Sequence, residues 1–208
     1  MFTAFVKLGS PAVQASWIAC MEIRGVRNRA GVETARSQSR STNLQQYEAS
    51  HRQVPARLVI HKTSKFNQQE IEGCEEAVKE FRIHDLDLLS LAPSFVRLFR
   101  DGDYPPLRGT IIDADETQSF LYTRGSIVYY EEYPGMYVPK TLQVRFDKII
   151  SDKRLLLEEI LALTKMNWNN TQIDSLTPIT IKAARQVGDI LRYVKSTDSI
   201  QARYSYFM

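Results

Sequence analysis

In the first part of the chain, the spacing of apolar and polar positions predicts a strand, a helix and a second strand. The apolar run at 57–61 is typical of a buried strand. Asn67 can cap a helix, and Glu70 follows three residues later, as in a capping box. The run at 86–91 predicts the next strand, and this order predicts a parallel crossover unit. The apolar face of the helix comprises Ile71, Cys74, Val78 and Phe81.

Beyond residue 94 the pattern predicts strands joined by turns, followed by two helices. Residues 95–99 alternate and predict a strand. After a turn, an antiparallel meander is predicted from the segments 108–114, 118–123, 126–130 and 141–146. Helices are predicted from Lys153 to Lys165 and from about Pro178 to Tyr193. Together these elements predict an α/β fold in which helices flank a mixed sheet.

Residues 1–43 show neither the helical nor the strand period over a sustained length. The stretch 24–42 is rich in Arg, Ser, Gly, Asn and Gln. We therefore expect residues 1–43 to be a poorly ordered or non-native N-terminal segment, and 44–208 to be the domain proper. The segment is interpreted as a solvated basic tail, with a nucleic-acid-binding arm as the alternative.

Composition and charge indicate which class of protein the chain belongs to. The chain has 208 residues, of which 43% are hydrophobic, so it can bury one substantial core. It has neither an apolar run of about 18 residues nor a leader pattern, so we expect a cytoplasmic protein. The cysteines Cys20 and Cys74 lack metal-ligand spacing and are expected to be reduced. A net charge of +3 does not by itself indicate a nucleic-acid partner.

Five segments together resemble one family. They are RLVIHKTSKF at 57–66, YPPLRGT at 104–110, LYTRGS at 121–126, YPGMYVPKTL at 133–142 and LALTKMNWNNTQ at 161–172. In this order they resemble the C-terminal part of the PIWI domain of prokaryotic Argonaute-like proteins. The resemblance covers about 44–208 and implies an RNase H-like fold, incomplete at its N-terminus and without the neighbouring MID domain.

The resemblance also implies that this chain does not cut nucleic acid. Cutting relatives hold two divalent cations with acidic side chains, which activate water and stabilise the leaving oxygen. Thr63 stands where such relatives have an Asp, and Ala183 where they have an Asp or His. Neither residue supplies an anionic ligand. Asp101 lies in an Arg-Asp-Gly word, but Tyr-Pro-Pro follows it in place of a helix, so we interpret it as a turn residue.

What remains is binding of a guide RNA or DNA strand and its complementary target, mainly through phosphate contacts. For each candidate ligand, a solubilising or structural role is an equal alternative. Asn169 and Asn170 can also cap a helix end. The candidates are Lys62, Arg97, Arg108, Arg124, Lys165, Asn169, Asn170 and Arg185.

The apolar ending at 204–208 suggests a tucked-in C-terminus. By resemblance, the main-chain carboxylate of Met208 would hold a cation, Mg²⁺ or Mn²⁺, that bridges the 5′ phosphate of the guide. Packing of an aromatic tail is the alternative. No catalytic cofactor is expected.

Three functional hypotheses follow. The first is an inactive guide-binding PIWI domain in a prokaryotic defence system, working with a MID-containing segment and an effector protein. The second is a guided endonuclease with weak metal-dependent activity through Asp101, Asp113 or Asp115. The third is a truncated gene product without a stable role.

Overall fold

The computed structural model of the chain describes residues 2–6, 18–22, 44–45, 48–49, 52, 54–94, 106–125, 140–166 and 175–191. For 2–6, 18–22 and 187–191 it describes the backbone alone.

Strands and helices alternate along the described residues. They are β1 Phe2–Val6, β2 Ile18–Glu22, β3 Arg57–Lys62, α1 Gln68–Glu80, β4 Asp85–Pro93, β5 Ile111–Asp115, β6 Gln118–Leu121, β7 Leu142–Lys148, α2 Lys153–Lys165 and α3 Ile179–Leu191. The hydrogen-bonded strand order is β2-β1-β3-β4-β7-β6-β5. None of the helices described has the length and apolar character needed to cross a membrane.

The crossover β3-α1-β4 forms as the sequence predicts. β3 and β4 are parallel, in register from Arg57 opposite Asp85 to Lys62 opposite Ser90. The side chain of Asn67 accepts a hydrogen bond from the backbone N–H of Glu70 at 2.7 Å. The Glu70 carboxylate accepts one from the Asn67 N–H at 3.0 Å. This confirms the predicted capping box, which satisfies two N–H groups at the start of α1.

Contacts divide the chain into two compact units. The first comprises Met1–Ser90, Asp147–Ser151 and Thr180–Met208, and the second comprises Leu91–Phe146 and Asp152–Ile179. In the first unit, the apolar face of α1 packs against alternate residues of β3 and β4, as its periodicity predicts. The core residues are Leu44, Leu58, Ile60, Phe66, Cys74, Val78, Ile83, Leu86 and Leu88.

The second unit contains the antiparallel strands β5, β6 and the main part of β7. Ile111 pairs with Leu121, and Leu121 pairs with Leu142. These pairings confirm the predicted antiparallel arrangement. The strand predicted at 126–130 and the one at 95–99 lie outside the described residues. The predicted apolar face of α2 is buried, and it comprises Leu156, Ile160 and Leu163.

The strands β1 and β2 lie within 1–43, where the sequence pattern predicts no element. They pair with each other in antiparallel fashion, and β1 also pairs with β3. β1 is positioned by β3, a partner far along the chain, and β2 is positioned by its pairing with β1, so local residue spacing does not reveal either strand. The boundary at residue 43 stays a prediction.

Candidate nucleic-acid interface

The carboxyl end of β3 holds Lys62 and Thr63, two residues singled out by the sequence. Lys62 is buried, and its ammonium forms an ion pair with the Glu70 carboxylate. It also donates a hydrogen bond to the Lys65 carbonyl at 3.2 Å and lies 4.8 Å from the ring centre of Phe66. A phosphate contact would require this ammonium to leave all three partners. These contacts give Lys62 an internal role in the structure, which is the structural alternative, and its phosphate contact stays a prediction.

Neither Thr63 nor Ala183 brings a carboxylate to its position. Thr63 is half-buried immediately after β3, and Ala183 is fully buried in α3. One turn before Ala183, the hydroxyl of Thr180 lies 2.9 Å from Nδ1 of His61 on β3. Burial, followed by the charge of Arg57, lowers the pKa of His61 to about 3. A neutral imidazole therefore joins α3 to β3 at neutral pH.

Two of the three acidic residues of the endonuclease hypothesis lie on β5. Asp113 and Asp115 are exposed on β5, while Asp101 lies outside the described residues. Asp113 accepts a hydrogen bond from the Ser119 hydroxyl, and Asp115 accepts from the hydroxyl and N–H of Thr117. These bonds lower the pKa of Asp115. Both carboxylates thus stabilise the β5–β6 hairpin. Across the described parts of the chain, no three His, Cys, Asp or Glu side chains converge as a metal site.

The second unit gathers basic residues at one edge of its sheet. Arg108 lies just before β5, Arg124 just after β6 and Lys140 just before β7. Since these strands are antiparallel, the start of β5, the end of β6 and the start of β7 meet at the same edge. The turn before β5 is fixed there by hydrogen bonds from Gly109 N–H to the Tyr122 carbonyl and from Tyr122 N–H to the Thr110 carbonyl.

Helix α2 adds a fourth cation to this edge. Near its start, Lys153 lies 5.3 Å from the ring centre of Phe146, towards the far end of β7. Two turns later, Leu161 packs beside Gly109, where an added Cβ would lie 3.2 Å from its Cδ2 atom. The helix therefore runs towards the edge where β5 begins and ends there with the exposed Lys165. We call Arg108, Arg124, Lys140 and Lys165 the basic edge.

The structure thus brings together three of the predicted ligands, Arg108, Arg124 and Lys165. Arg124 and Lys165 are exposed, and Arg108 is half-buried. Arg185 is exposed on α3, which belongs to the first unit. The remaining candidates, Arg97, Asn169, Asn170 and Met208, lie outside the described residues. Their binding roles stay predictions.

Lys140 belongs to the basic edge although sequence reasoning did not select it. It lies in the YPGMYVPKTL segment, so the family resemblance pointed to its neighbourhood but to no particular residue. The register of β6 with β7 shows where Lys140 lies. Leu121 pairs with Leu142, so continuing the two strands by two residues sets Lys140 beside Thr123, next to Arg124.

Comparison with known proteins identifies the fold. No protein-family model and no curated protein matches the sequence. Among solved structures, that of A. aeolicus Argonaute matches 86% of this chain with a TM-score of 0.62 and 17% identity. Clostridium butyricum Argonaute, bound to a guide DNA and a 19-mer target DNA, matches 99% with a TM-score of 0.67 and 15% identity. The structure of Aa-Ago with externally bound siRNA matches 93% of this chain with a TM-score of 0.64 and 12% identity.

Because the sequence identities are only 12–17%, these matches establish the fold of the chain and nothing further. The chain has the mixed α/β, RNase H-like fold of the PIWI part of Argonaute proteins, which confirms the predicted fold class. It spans about a quarter of these proteins, 24% of the first and 28% of the other two.

Proposed function

We propose that this chain is the C-terminal part of a PIWI domain of a prokaryotic Argonaute-like protein, and that it binds a guide RNA or DNA strand together with its complementary target. The fold supports this proposal, as does the presence of guide and target DNA in one of the structures that it resembles.

The basic edge is the observation that carries the proposal. Four cations from four separate chain segments lie at one edge of a sheet, where a sugar-phosphate backbone can contact several of them together. Phosphate contacts fix position and supply affinity, while base pairing between guide and target supplies the sequence specificity. The edge needs charge and shape for this task, and few contacts to bases.

We also propose that the domain does not cut. Two-metal cleavage needs acidic ligands that hold the cations on both sides of the scissile phosphate. Thr63 offers only a neutral hydroxyl and Ala183 offers no ligand atom. A binding domain of this kind fits a prokaryotic defence system in which a MID-containing segment completes the guide site and a separate effector acts on recognition.

A cation at the guide's 5′ end is part of the same proposal. The carboxylate of Met208 would hold Mg²⁺ or Mn²⁺ against the 5′ phosphate, because hard divalent cations prefer oxygen ligands. Amidation of the C-terminus would then weaken binding of a 5′-phosphorylated guide but leave binding of a 5′-hydroxyl guide unchanged.

The test uses the full chain with a labelled guide, a complementary target and Mn²⁺. Fluorescence anisotropy is expected to show salt-sensitive binding of the guide and of the guide–target duplex, and gel analysis is expected to show an intact target. Guide-dependent cleavage that Asp101→Ala, Asp113→Asn or Asp115→Asn abolishes would support the endonuclease instead. Absence of binding at low salt would overturn the binding function itself.

A further inference from the structure

Two buried polar atoms at the basic edge have no hydrogen-bond partner. They are Nε of Arg108 and the hydroxyl oxygen of Thr141. Thr141 is only 1% exposed, whereas Arg108 is half-buried. An unpaired buried donor is destabilising, and native proteins leave few of them without a functional or structural reason. Two such donors at one edge therefore call for a common acceptor.

Strand pairing places Thr141 opposite Tyr122, and backbone hydrogen bonds place Arg108 in the turn on the other side of that strand. Gly109 and Thr110 hydrogen-bond with the Tyr122 backbone from the β5 side, and Arg108 precedes them directly. On the β7 side, Leu142 pairs with Leu121, so Thr141 is the neighbour of Tyr122. Only one intervening strand separates the two residues, at a spacing of about 4.8 Å per strand. An arginine side chain is long enough to span that gap.

We propose that Arg108 and Thr141 form a subsite for one backbone phosphate of the bound nucleic acid. This inference rests on the proposed binding function and assigns one of its contacts. A phosphate has several acceptor oxygens and negative charge, so it can accept from a guanidinium N–H and a hydroxyl together. Both donor atoms are buried in the free chain, so contact with the phosphate requires the side chains of Arg108 and Thr141 to rotate towards the surface while the strand ends stay in place. Arg124 and Lys140 supply the surrounding positive charge.

Two conservative changes test the donors separately from the charge. Thr141→Val removes the hydroxyl at nearly constant shape and is expected to weaken binding about tenfold, as for a lost hydrogen bond to a charged group. Thr141→Ser is expected to retain the wild-type affinity. Arg108→Lys keeps the charge but removes Nε, so affinity falls while the salt dependence is unchanged.

Arg145 provides a matched control. Its Nε is also buried without a partner, but it lies four residues further along β7, opposite Gln118 and away from the basic edge. Arg145→Lys removes the same group and is expected to leave the affinity within about twofold of wild type, as befits a site outside the interface. Thermal unfolding of each variant verifies that it is folded.

The decisive measurement is a scan in which one neutral methylphosphonate replaces one phosphate at a time along the strand bound by the full chain. At a single position the substitution should weaken wild-type binding more than it weakens binding by Thr141→Val, which retains only the Arg108 contact to that phosphate, since contacting groups are non-additive. Wild-type affinity of Thr141→Val, or equal penalties in both proteins at every position, overturns the subsite while leaving the binding function intact. If the wild-type chain binds no oligonucleotide, both proposals fail.

Discussion

Burial favours the structural one of the two roles that sequence allows for Lys62. A lysine at the end of a strand, beside a family-like motif, is a reasonable phosphate ligand when only the sequence is known. The structure instead surrounds its ammonium with the Glu70 carboxylate, the Lys65 carbonyl and the Phe66 ring. A buried ion pair of this kind stabilises little in itself, but breaking it leaves a buried charge without compensation.

Replacement of Lys62 by Met is therefore expected to lower the free energy of unfolding by about 3–5 kcal/mol, because the buried Glu70 carboxylate would lose its cationic partner. The double variant Lys62→Met with Glu70→Gln should recover most of the loss, since Gln also completes a capping box. Urea unfolding measures both effects. An unchanged stability with a weaker affinity for the guide would instead indicate a phosphate ligand.

Gly125 shows a backbone requirement next to Arg124. Its φ is +135°, and a Cβ there would lie 2.6 Å from the Pro106 carbonyl oxygen. Gly125→Ala is expected to cost about 1–3 kcal/mol of stability, and to weaken binding because the strand ends that carry Arg108 and Arg124 would separate. Gly73→Ala in the middle of α1 is the control. The same added methyl should there raise stability by about 0.5–1 kcal/mol. Equal effects at both positions would contradict this account.

At the scale of elements, Asp87 on β4 holds the segment after β7 in place through hydrogen bonds. Its carboxylate accepts hydrogen bonds from the N–H groups of Ile150 at 2.8 Å and Ser151 at 3.1 Å. The same carboxylate also accepts hydrogen bonds from the Ser151 hydroxyl at 2.7 Å and from Nε of Arg57 at 2.9 Å. Burial alone would raise the pKa of Asp87, but these donors outweigh it and lower the pKa below its ordinary value of 3.8.

This arrangement predicts a pH dependence of stability. A carboxylate with a lowered pKa stabilises the fold above its unfolded pKa, and the contribution is lost as pH falls below about 4 and through the folded pKa. Asp87→Asn should cost roughly 1.5–3 kcal/mol at pH 7, because the donors lose a charged acceptor. Its stability should also change less than that of wild type between pH 4 and 2, as followed by urea unfolding. Parallel curves for the two proteins would exclude this role for Asp87.

The elements that sequence predicted best are those specified by neighbouring residues. Asn67 and Glu70 fix the start of α1 through a local hydrogen-bond exchange, and the apolar spacing of α2 reports its buried face directly. β1 escaped prediction because its pairing with β3 is non-local. Lys140 escaped for the same reason, since only the register of β7 with β6 sets it beside Arg124. Position along the chain likewise could not reveal that Lys62 is buried.

At the scale of the whole molecule, net charge and local charge make different predictions. A net charge of +3 spread over 208 residues gives weak attraction for a polyanion. Four cations at one edge give strong, salt-dependent attraction, since each phosphate contact releases a counterion. The affinity for nucleic acid should therefore depend more on where in the protein a charge is changed than on how much the net charge changes.

Arg124→Glu and Arg154→Glu make this comparison with equal changes in total charge, each lowering the net charge of +3 by two. Arg124 lies in the basic edge, whereas Arg154 is 81% exposed in the first turn of α2, paired with Glu158. Reversal at 124 is expected to weaken duplex binding more than tenfold and to make the slope of log affinity against log salt shallower by about one. Reversal at 154 should leave that slope unchanged. Equal losses for the two variants would mean that overall charge, and not the basic edge, governs binding.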